Sequence, residues 1–329
     1  MTLRNLREAR GLTQVELAHR AGVSRQLVGA VEAGRHLPRV DAALALAAAL
    51  DVDVARLFGP TRRPVDILTG EPPPEGAAVR SGLVGDTPVT TAVGFAGDGW
   101  NVADAVIDRG RLCHLARLRH GLVVAGCEPG LRLLEQLLRE GGMAAISVGA
   151  SSVSARAALA AGRTHAAVVH GPGESQGGDD YARFGIARWR VGLAGAPDAS
   201  SEWWSEALSG QVPVVQREPG AGVQHAFEAA LAGHGMTFVA GPRVDGHVAA
   251  VSQTMIAGIP SVTIEPAAIA AGARFHALEV HTAELLVARD FVAEPAVAAA
   301  LDTLASSRFQ RRLEAVGGYD LGNCGVRVA

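Results

Sequence analysis

The apolar positions change their spacing along the chain. Over 1–58 they recur at helical intervals, with Leu3, Leu6 and Leu12 opening one face, and the pattern predicts helices over 14–20, 25–33, 42–50 and 52–58. Thr13, with Glu16 three residues on, is a capping box, in which a hydroxyl and a carboxylate satisfy free backbone N–H groups. Ser24 is the predicted cap of the next helix, and Gly34 its predicted stop. A boundary follows at Gly59, Pro60, Thr61 and Pro64. Between there and His120 the text turns to short alternating stretches at 87–93 and 102–108, broken by Pro72, Pro73 and Pro74, which predicts a small β-rich connector.

From Gly121 the pattern becomes strand, loop, helix. Strands are predicted at 122–125, 144–148 and 166–169, with helices at 131–139 and 153–161 between them. An extended crossover at 186–193 follows. A short strand at 212–215 carries Pro213, which suits a strand start or an edge. A helix at 223–231, a strand at 237–240, a helix at 248–257 and a strand at 261–264 come next. A helix from Glu265, a returning strand at 285–288 and helices at 295–306 and 308–316 complete the chain. This alternation predicts α/β units on a mainly parallel sheet.

Composition narrows the class. The chain has 329 residues, 48% hydrophobic, which is enough to build cores and excludes wholesale disorder. The longest stretch without Asp, Glu or Arg, 246–264, is interrupted by His247, Ser252, Gln253 and Pro260, so no membrane helix is expected. Residues 1–10 are already polar and helical in pattern, so no signal segment is expected there. Three dispersed cysteines, Cys113, Cys127 and Cys324, predict a reducing cytoplasm without a disulfide framework. Lysine is absent, so all 30 basic side chains are arginine; a GC-rich genome accounts for that, and guanidinium forks suit phosphate. The net charge of −3 divides into +2 over residues 1–60 and −5 over the remainder, which leaves room for a small nucleic-acid-binding module.

Two short helices joined through Ala21, Gly22 and Val23 make a helix-turn-helix. Leu17, Ala18, Ala21, Gly22, Val23, Ser24, Val28, Val31, Glu32, Gly34 and Pro38, followed by Leu44, Ala47, Leu50 and Leu57, closely resemble the Cro/phage-repressor family. The resemblance covers about 58 residues and implies binding to double-stranded DNA through the second helix of the motif. It places Arg25 and Gln26 at base edges, where arginine suits guanine and glutamine adenine. It makes Gln14 and Ser24 phosphate contacts at helix N-termini. Arg35 fits either a phosphate or a solvated surface position. Gly29 stands where many relatives carry Ser or another polar residue. A single such module is weak, so a homodimer on a near-palindromic operator is expected.

In the body, Val123-Val124-Ala125-Gly126-Cys127-Glu128-Pro129, the Ser151-Ser152 turn and the stretch from Ala160 to His170 carry a second resemblance. So do Arg217-Glu218-Pro219-Gly220-Ala221-Gly222 and Ser307-Arg308-Phe309 with Gly318-Tyr319-Asp320. They look like the periplasmic-binding-protein-like domain fused to helix-turn-helix regulators and to some molybdopterin-biosynthesis proteins, a relative of molybdate- and tungstate-binding proteins. The expected fold is therefore multidomain. It has an all-α helix-turn-helix domain over 1–58, a small β-rich connector over 59–120, and a two-lobed α/β periplasmic-binding-protein-like (type II) domain over 121–329. The resemblance implies a ligand between the lobes, whose closure would reorient paired DNA-binding modules.

Three turns lead into helix N-termini and suit an anion: Cys127 to Gly130, Gly149 to Ser152, and Arg217 to Gly222. The candidate effector residues are Cys127, Glu128, Ser151, Ser152, His170, Arg217, Gly220, Gly222, His247 and Glu265. Each also has a structural reading. Ser151 and Ser152 suit helix caps, Cys127 a small core position, and His165 a structural histidine. Glu265 stands where relatives often have a small residue, which points away from a simple oxyanion and towards a cationic or organic ligand. The 171–180 loop departs from the family, and Asp179-Asp180 reads as solvated loop.

Eleven histidines occur without HxH, HExxH or clustered Cys/His spacing, so no metal site is expected. No cofactor motif or recognisable nucleophile–base pair appears, and the expectation is a non-enzyme. The resulting picture is a cytoplasmic transcriptional regulator responding to an oxyanion such as molybdate or tungstate, or to a small organic effector. The alternatives are a cofactor-handling or enzymatic protein, and a constitutive DNA binder whose body only dimerises.

Overall fold

The computed structural model describes residues 3–33, 35–58, 62–93, 95–96, 99–100, 102–115, 121–173, 180–233 and 235–328. The predicted stop at Gly34, the boundary residues Gly59 to Thr61, the connector's limit at His120, and Asp179 with most of the 171–180 loop lie outside them. The chain divides into two compact units, Met1–Arg62 and Arg63–Ala329.

Among the described residues, the first unit has five helices: α1 (Leu3–Ala9), α2 (Gln14–Arg20), α3 (Arg25–Glu32), α4 (Val40–Ala49) and α5 (Val54–Phe58). Both predicted caps are present. Thr13 Oγ1 accepts from Glu16 N at 3.2 Å while Glu16 returns a carboxylate to Thr13 N at 2.6 Å, and Ser24 Oγ accepts from Leu27 N at 3.1 Å. Gly22 bridges α2 and α3 at φ 61°, a left-handed conformation that a side chain would strain. Leu3, Leu6, Leu17, Val28, Leu46 and Leu50 meet in the core. A buried polar knot joins three helices. Arg7 donates to Glu32 at 2.6 and 3.2 Å and to Leu12 O at 2.7 Å, and Gln14 donates to Glu32 at 2.8 Å.

The second unit begins with a small sheet: β1 (Val65–Asp66), β2 (Ala78–Val84), β3 (Thr87–Ala92), β6 (Ala105–Asp108) and β7 (Arg111–His114), ordered β1-β3-β2-β6-β7. A short hairpin, β4 (Phe95–Ala96) and β5 (Gly99–Trp100), lies outside it. The small sheet is a layer of this unit. Ile67, Val84 and Val89 share a core with Val123 and Ile146. A Cβ at Gly82 would lie 2.8 Å from Val123 Cγ2, so only glycine permits this approach. Buried Arg80 crosses to Glu135 at 2.5 Å, and Glu135 accepts from Ser147 N at 3.0 Å.

The large sheet forms from β8 (Gly121–Gly126), β9 (Ala144–Gly149), β10 (Ala166–Gly171), β11 (Tyr181–Gly195), β12 (Pro213–Arg217), β13 (Val239–Val244), β14 (Ser261–Ile264), β15 (Arg274–Ala288) and β16 (Arg327–Val328). Its order is β13-β12-β14-β11-β15-β10-β8-β9, with β16 on β11. Parallel trios form the two ends. Helices α6 (Gly130–Glu140), α7 (Ser152–Ala160), α12 (Pro295–Ala305) and α13 (Ser307–Glu314) accompany one. Helices α8 (Trp203–Leu208), α9 (Gly222–Gly233), α10 (His247–Ala257) and α11 (Glu265–Ala270) accompany the other. The apolar run of β8 fits a strand covered on both faces.

Between the two lobes run β11 and β15, antiparallel and 15 residues each, about 50 Å at the usual strand rise. The alternation predicts only fragments of them, at 186–193 and 285–288. The rest is hidden because β15 carries polar residues that the fold buries in pairs: Glu284 binds Arg183 at 2.9 Å, and His281 is fully buried beside His170. Helix α8 is also absent from the sequence pattern. Among the described residues, no helix is long and apolar enough to cross a membrane.

Candidate functional site

Helix α3 presents Arg25 and Gln26 exposed in its first turn, with Ser24 exposed at the cap. The Ser24 oxygen holds the helix start, and its hydroxyl hydrogen can still be donated outward. Arg35 is exposed. Gln14, expected at a phosphate, is half-buried and spends an amide hydrogen on Glu32. Burial alone would raise the Glu32 carboxyl, but the hydrogen bonds from Arg7 and Gln14 outweigh it and hold the group below the usual carboxylate range. The helix carrying Arg25 and Gln26 is therefore fixed by a charged anchor at its far end.

In the second unit a cavity of about 460 Å³ lies where four turns converge, at the ends of β8, β9, β12 and β13. Cys127, Glu128, Ser151, Glu218, Asp245 and His247 contribute to its lining. Ends of parallel strands are where an α/β sheet offers loops and helix N-termini to a ligand.

Glu128 is 3% exposed. Its Oε1 accepts from Gly130 N at 2.8 Å and Tyr319 OH at 2.7 Å, while Oε2 has no hydrogen-bond partner among the described residues. Burial pushes this carboxyl up to about 7, against the pull of those two hydrogen bonds. Ser151 caps α7 by accepting from Ser154 N at 3.2 Å. Ser152 accepts from His170 N at 3.1 Å, which steadies the end of β10.

Arg217 differs from its expected role as an anion clamp. It is 1% exposed, and Glu218 takes two of its nitrogens at 2.8 and 2.9 Å. Its third nitrogen lies 2.8 Å from His247 Nδ1. Because guanidinium only donates, His247 Nδ1 is the acceptor and Nε2 carries the proton. That buried Nε2 has no partner among the described residues. Burial, then the charge of Arg217, hold His247 neutral well below the usual histidine value.

Behind Cys127 runs a chain of side chains. Cys127 Sγ lies 2.9 Å from His170 Nε2, His170 Nδ1 lies 2.9 Å from His281 Nδ1, and His281 Nε2 lies 2.5 Å from Glu279 Oε1. Desolvation pushes the thiol up to about 12 and, with His281 and Arg217 adding to it, lowers His170 to about 3. The sequence pattern contains no Cys/His cluster, yet Cys127, His170 and His247 offer ligand atoms within 4.8 Å of one another. Long strands and turns bring these three residues together from positions far apart in the chain, so their grouping leaves no spacing signal in the sequence.

Gly222 makes room for this cluster: a Cβ there would lie 3.3 Å from His170 Cε1 and 3.4 Å from His281 Cε1. Gly220 adopts φ 81° beside Val153 at the turn before α9. Glu265 stands outside the cavity lining, and Arg190 holds its carboxylate through two contacts, one at 2.7 Å. Its position at the end of β14 was correctly read, but its charge is occupied. His165 is structural: its Nδ1 accepts from Val123 N at 3.0 Å. Glu218, Asp245, Glu279, His281 and Tyr319 are polar residues around the site that sequence reasoning left without a role. Of these, only Glu218 and Tyr319 sat inside quoted motifs.

Residues 3–57 match the helix-turn-helix family model. The first unit is a helix-turn-helix of the Cro/repressor type. No curated protein matches the chain. Several solved structures are similar to it. The effector-binding domain of QuiR in complex with shikimate is 9% identical, with 56% of this chain and 94% of that one covered at a TM-score of 0.43. A putative phosphate ABC transporter substrate-binding protein with bound phosphate, from Clostridium perfringens, is 11% identical over 61% of this chain and 98% of that one, at a TM-score of 0.49. The restriction-modification controller protein C.AhdI from Aeromonas hydrophila is 44% identical over 16% of this chain and 79% of that one, at a TM-score of 0.16. The larger unit's own topology is two parallel strand trios joined by two long antiparallel strands.

Proposed function

We propose that the chain is a cytoplasmic, ligand-responsive transcriptional regulator. The helix-turn-helix unit reads double-stranded DNA through Arg25 and Gln26, as a homodimer on half-sites about one helical turn apart. A small effector binds in the cavity of the larger unit and changes operator affinity. The observation that carries the sensing half is that two residues lining that cavity, Glu128 and His247, each keep a buried polar atom, Oε2 and Nε2, without a hydrogen-bond partner among the described residues. A buried polar atom left unpaired costs about 1–3 kcal/mol, which a ligand that pairs it returns as affinity.

The lining also selects among effectors. Glu128, Glu218 and Asp245 bring carboxylates to the cavity, and Arg217 is already matched by Glu218. That favours a cation or a molecule rich in hydrogen-bond donors over molybdate or tungstate. The enzymatic alternative gains little from the Cys127–His170 contact, because burial keeps both groups neutral and leaves no reactive thiolate.

The test joins two measurements. A thermal-shift panel of oxyanions, metal cations, amines and neutral heterocycles is expected to give stabilisation from the cationic and donor-rich members, about 2.7 kcal/mol at a hundredfold excess over Kd. Binding to a duplex selected from a random library is expected to change with the same compound. A stabilising compound that leaves DNA affinity unchanged would overturn the regulatory reading, and stabilisation by molybdate alone would overturn the assigned ligand class.

A further inference from the structure

We infer that Cys127, His170 and His247 bind one zinc-class transition-metal ion at the floor of the cavity, with His281 and Glu279 holding His170 in its ligating tautomer. As a claim about what the cavity takes, this rests on the ligand-sensing reading, but metal binding itself is measured without DNA.

The donor set is the first argument. One thiolate and two imidazoles suit zinc and its neighbours, and do not suit calcium or magnesium, which take oxygen ligands. The donor atoms already lie within 4.8 Å of one another, from the turn after β8, the end of β10 and the start of α10.

The second argument is the direction of the hydrogen bonds. A carboxylate only accepts, so His281 Nε2 donates to Glu279 Oε1 across 2.5 Å. His281 Nδ1 then bears a lone pair and accepts the Nδ1 proton of His170 across 2.9 Å. That leaves the lone pair of His170 Nε2 facing Cys127 Sγ. An imidazole whose second nitrogen is committed to a carboxylate relay is the usual support of a metal-bound histidine. Burial of His281 and the close approach permitted by Gly222 keep the relay rigid.

The third argument is that His247 Nε2 has no hydrogen-bond partner among the described residues. An ion supplies its missing partner. The Nε2 proton must then move to Nδ1, where Thr263 Oγ1 lies 3.5 Å away as an acceptor, and Arg217 gives up one contact while keeping both to Glu218. Binding also displaces the Cys127 thiol proton to solvent, and no electron is transferred. Three protein ligands leave a fourth position. Cys127 and His247 both line the cavity, so that position faces it and is open to water or to a donor atom of a second ligand.

The test is a cobalt(II) titration of the full chain in a Cys113→Ser/Cys324→Ala background, which leaves Cys127 as the one thiol. The expected result is one ion per chain, a thiolate-to-cobalt charge-transfer band with tetrahedral visible bands, and displacement of both by zinc. Cys127→Ser is expected to abolish the charge-transfer band. Glu279→Gln is expected to keep the band and weaken affinity by about 10–100-fold. No charge-transfer band with Cys127 present, or a band that survives Cys127→Ser, would overturn the site. Cobalt binding with unchanged DNA affinity upholds the metal site and sinks its regulatory consequence. Ligand-dependent DNA binding without cobalt binding does the reverse.

Discussion

The recognition helix and the cavity floor are built by opposite strategies. Helix α3 displays Ser24, Arg25 and Gln26 within three consecutive positions on an exposed first turn. Beside the cavity, Cys127, His170 and His247 come together from three separate elements, largely withdrawn from solvent, with one nitrogen left without a partner among the described residues. An exposed site can be specified locally, because water satisfies whatever its partner does not. A buried site must be satisfied by the tertiary structure, so its residues arrive with their supports: Glu279 and His281 behind His170, and Glu218 beside Arg217.

The sharpest way to break this contrast is to attack the buried charge network around Glu32 in the first unit. Glu32→Ala strands Arg7 in the interior and is expected to cost about 3–5 kcal/mol of that unit's stability. Chemical denaturation should show the first unit unfolding early and DNA binding lost, while ligand-dependent stabilisation of the second unit persists. Gly222→Ala attacks the other side. Its Cβ meets His170 and His281, so an overpacking cost of about 1–3 kcal/mol is expected in the second unit, read as weaker ligand and cobalt binding with unaltered DNA sequence preference.

Arg25→Ala is expected to lose about 1–3 kcal/mol of discrimination at one base pair, measured by competition between specific and random duplexes. Equal losses on both duplexes would reassign Arg25 to the phosphate backbone. Ser24→Ala is the smallest: about 1 kcal/mol of helix capping, read in the stability of the first unit.

Acid treats the two units alike. Glu32 and Glu135 are both buried, which by itself would raise them, and both are held lower by their partners: Arg7 and Gln14 for Glu32, Ser147 and Arg80 for Glu135. A carboxyl with a depressed folded value stabilises the fold above its ordinary value, about 4.3, and loses that contribution as pH falls through the folded value. Stability should therefore decline below about pH 4.3. Glu32→Gln should flatten that decline in the first unit and Glu135→Gln in the second, measured as unfolding midpoints against pH.

The first unit was largely legible because its rules are short-range. The capping box at Thr13, the cap at Ser24 and the turn at Gly22 each act within four residues, and each appears where the pattern places it. What the pattern does not show there is the anchor: Gln14 donates to Glu32, 18 residues away. In the second unit the strand–helix alternation and the turns at Cys127, Ser151 and Glu218 were legible for the same local reason. The long strands were not, because buried His281 and Glu284 interrupt the apolar period that marks a strand. Arg217 and Glu265 were correctly placed at strand ends, yet their charges are taken by Glu218 and Arg190, partners that spacing alone could not assign.

By itself, the chain's text determined a helical DNA-reading module, an α/β body, and a set of turns rich in small and polar residues. It did so because capping, periodicity and turn chemistry are local. Only the tertiary structure decided which of those polar residues remain available. It paired Arg217 and Glu265, left Glu128 Oε2 and His247 Nε2 open, and drew Cys127 to His170, because burial forces every charge to find a partner and distant strands choose which one it finds.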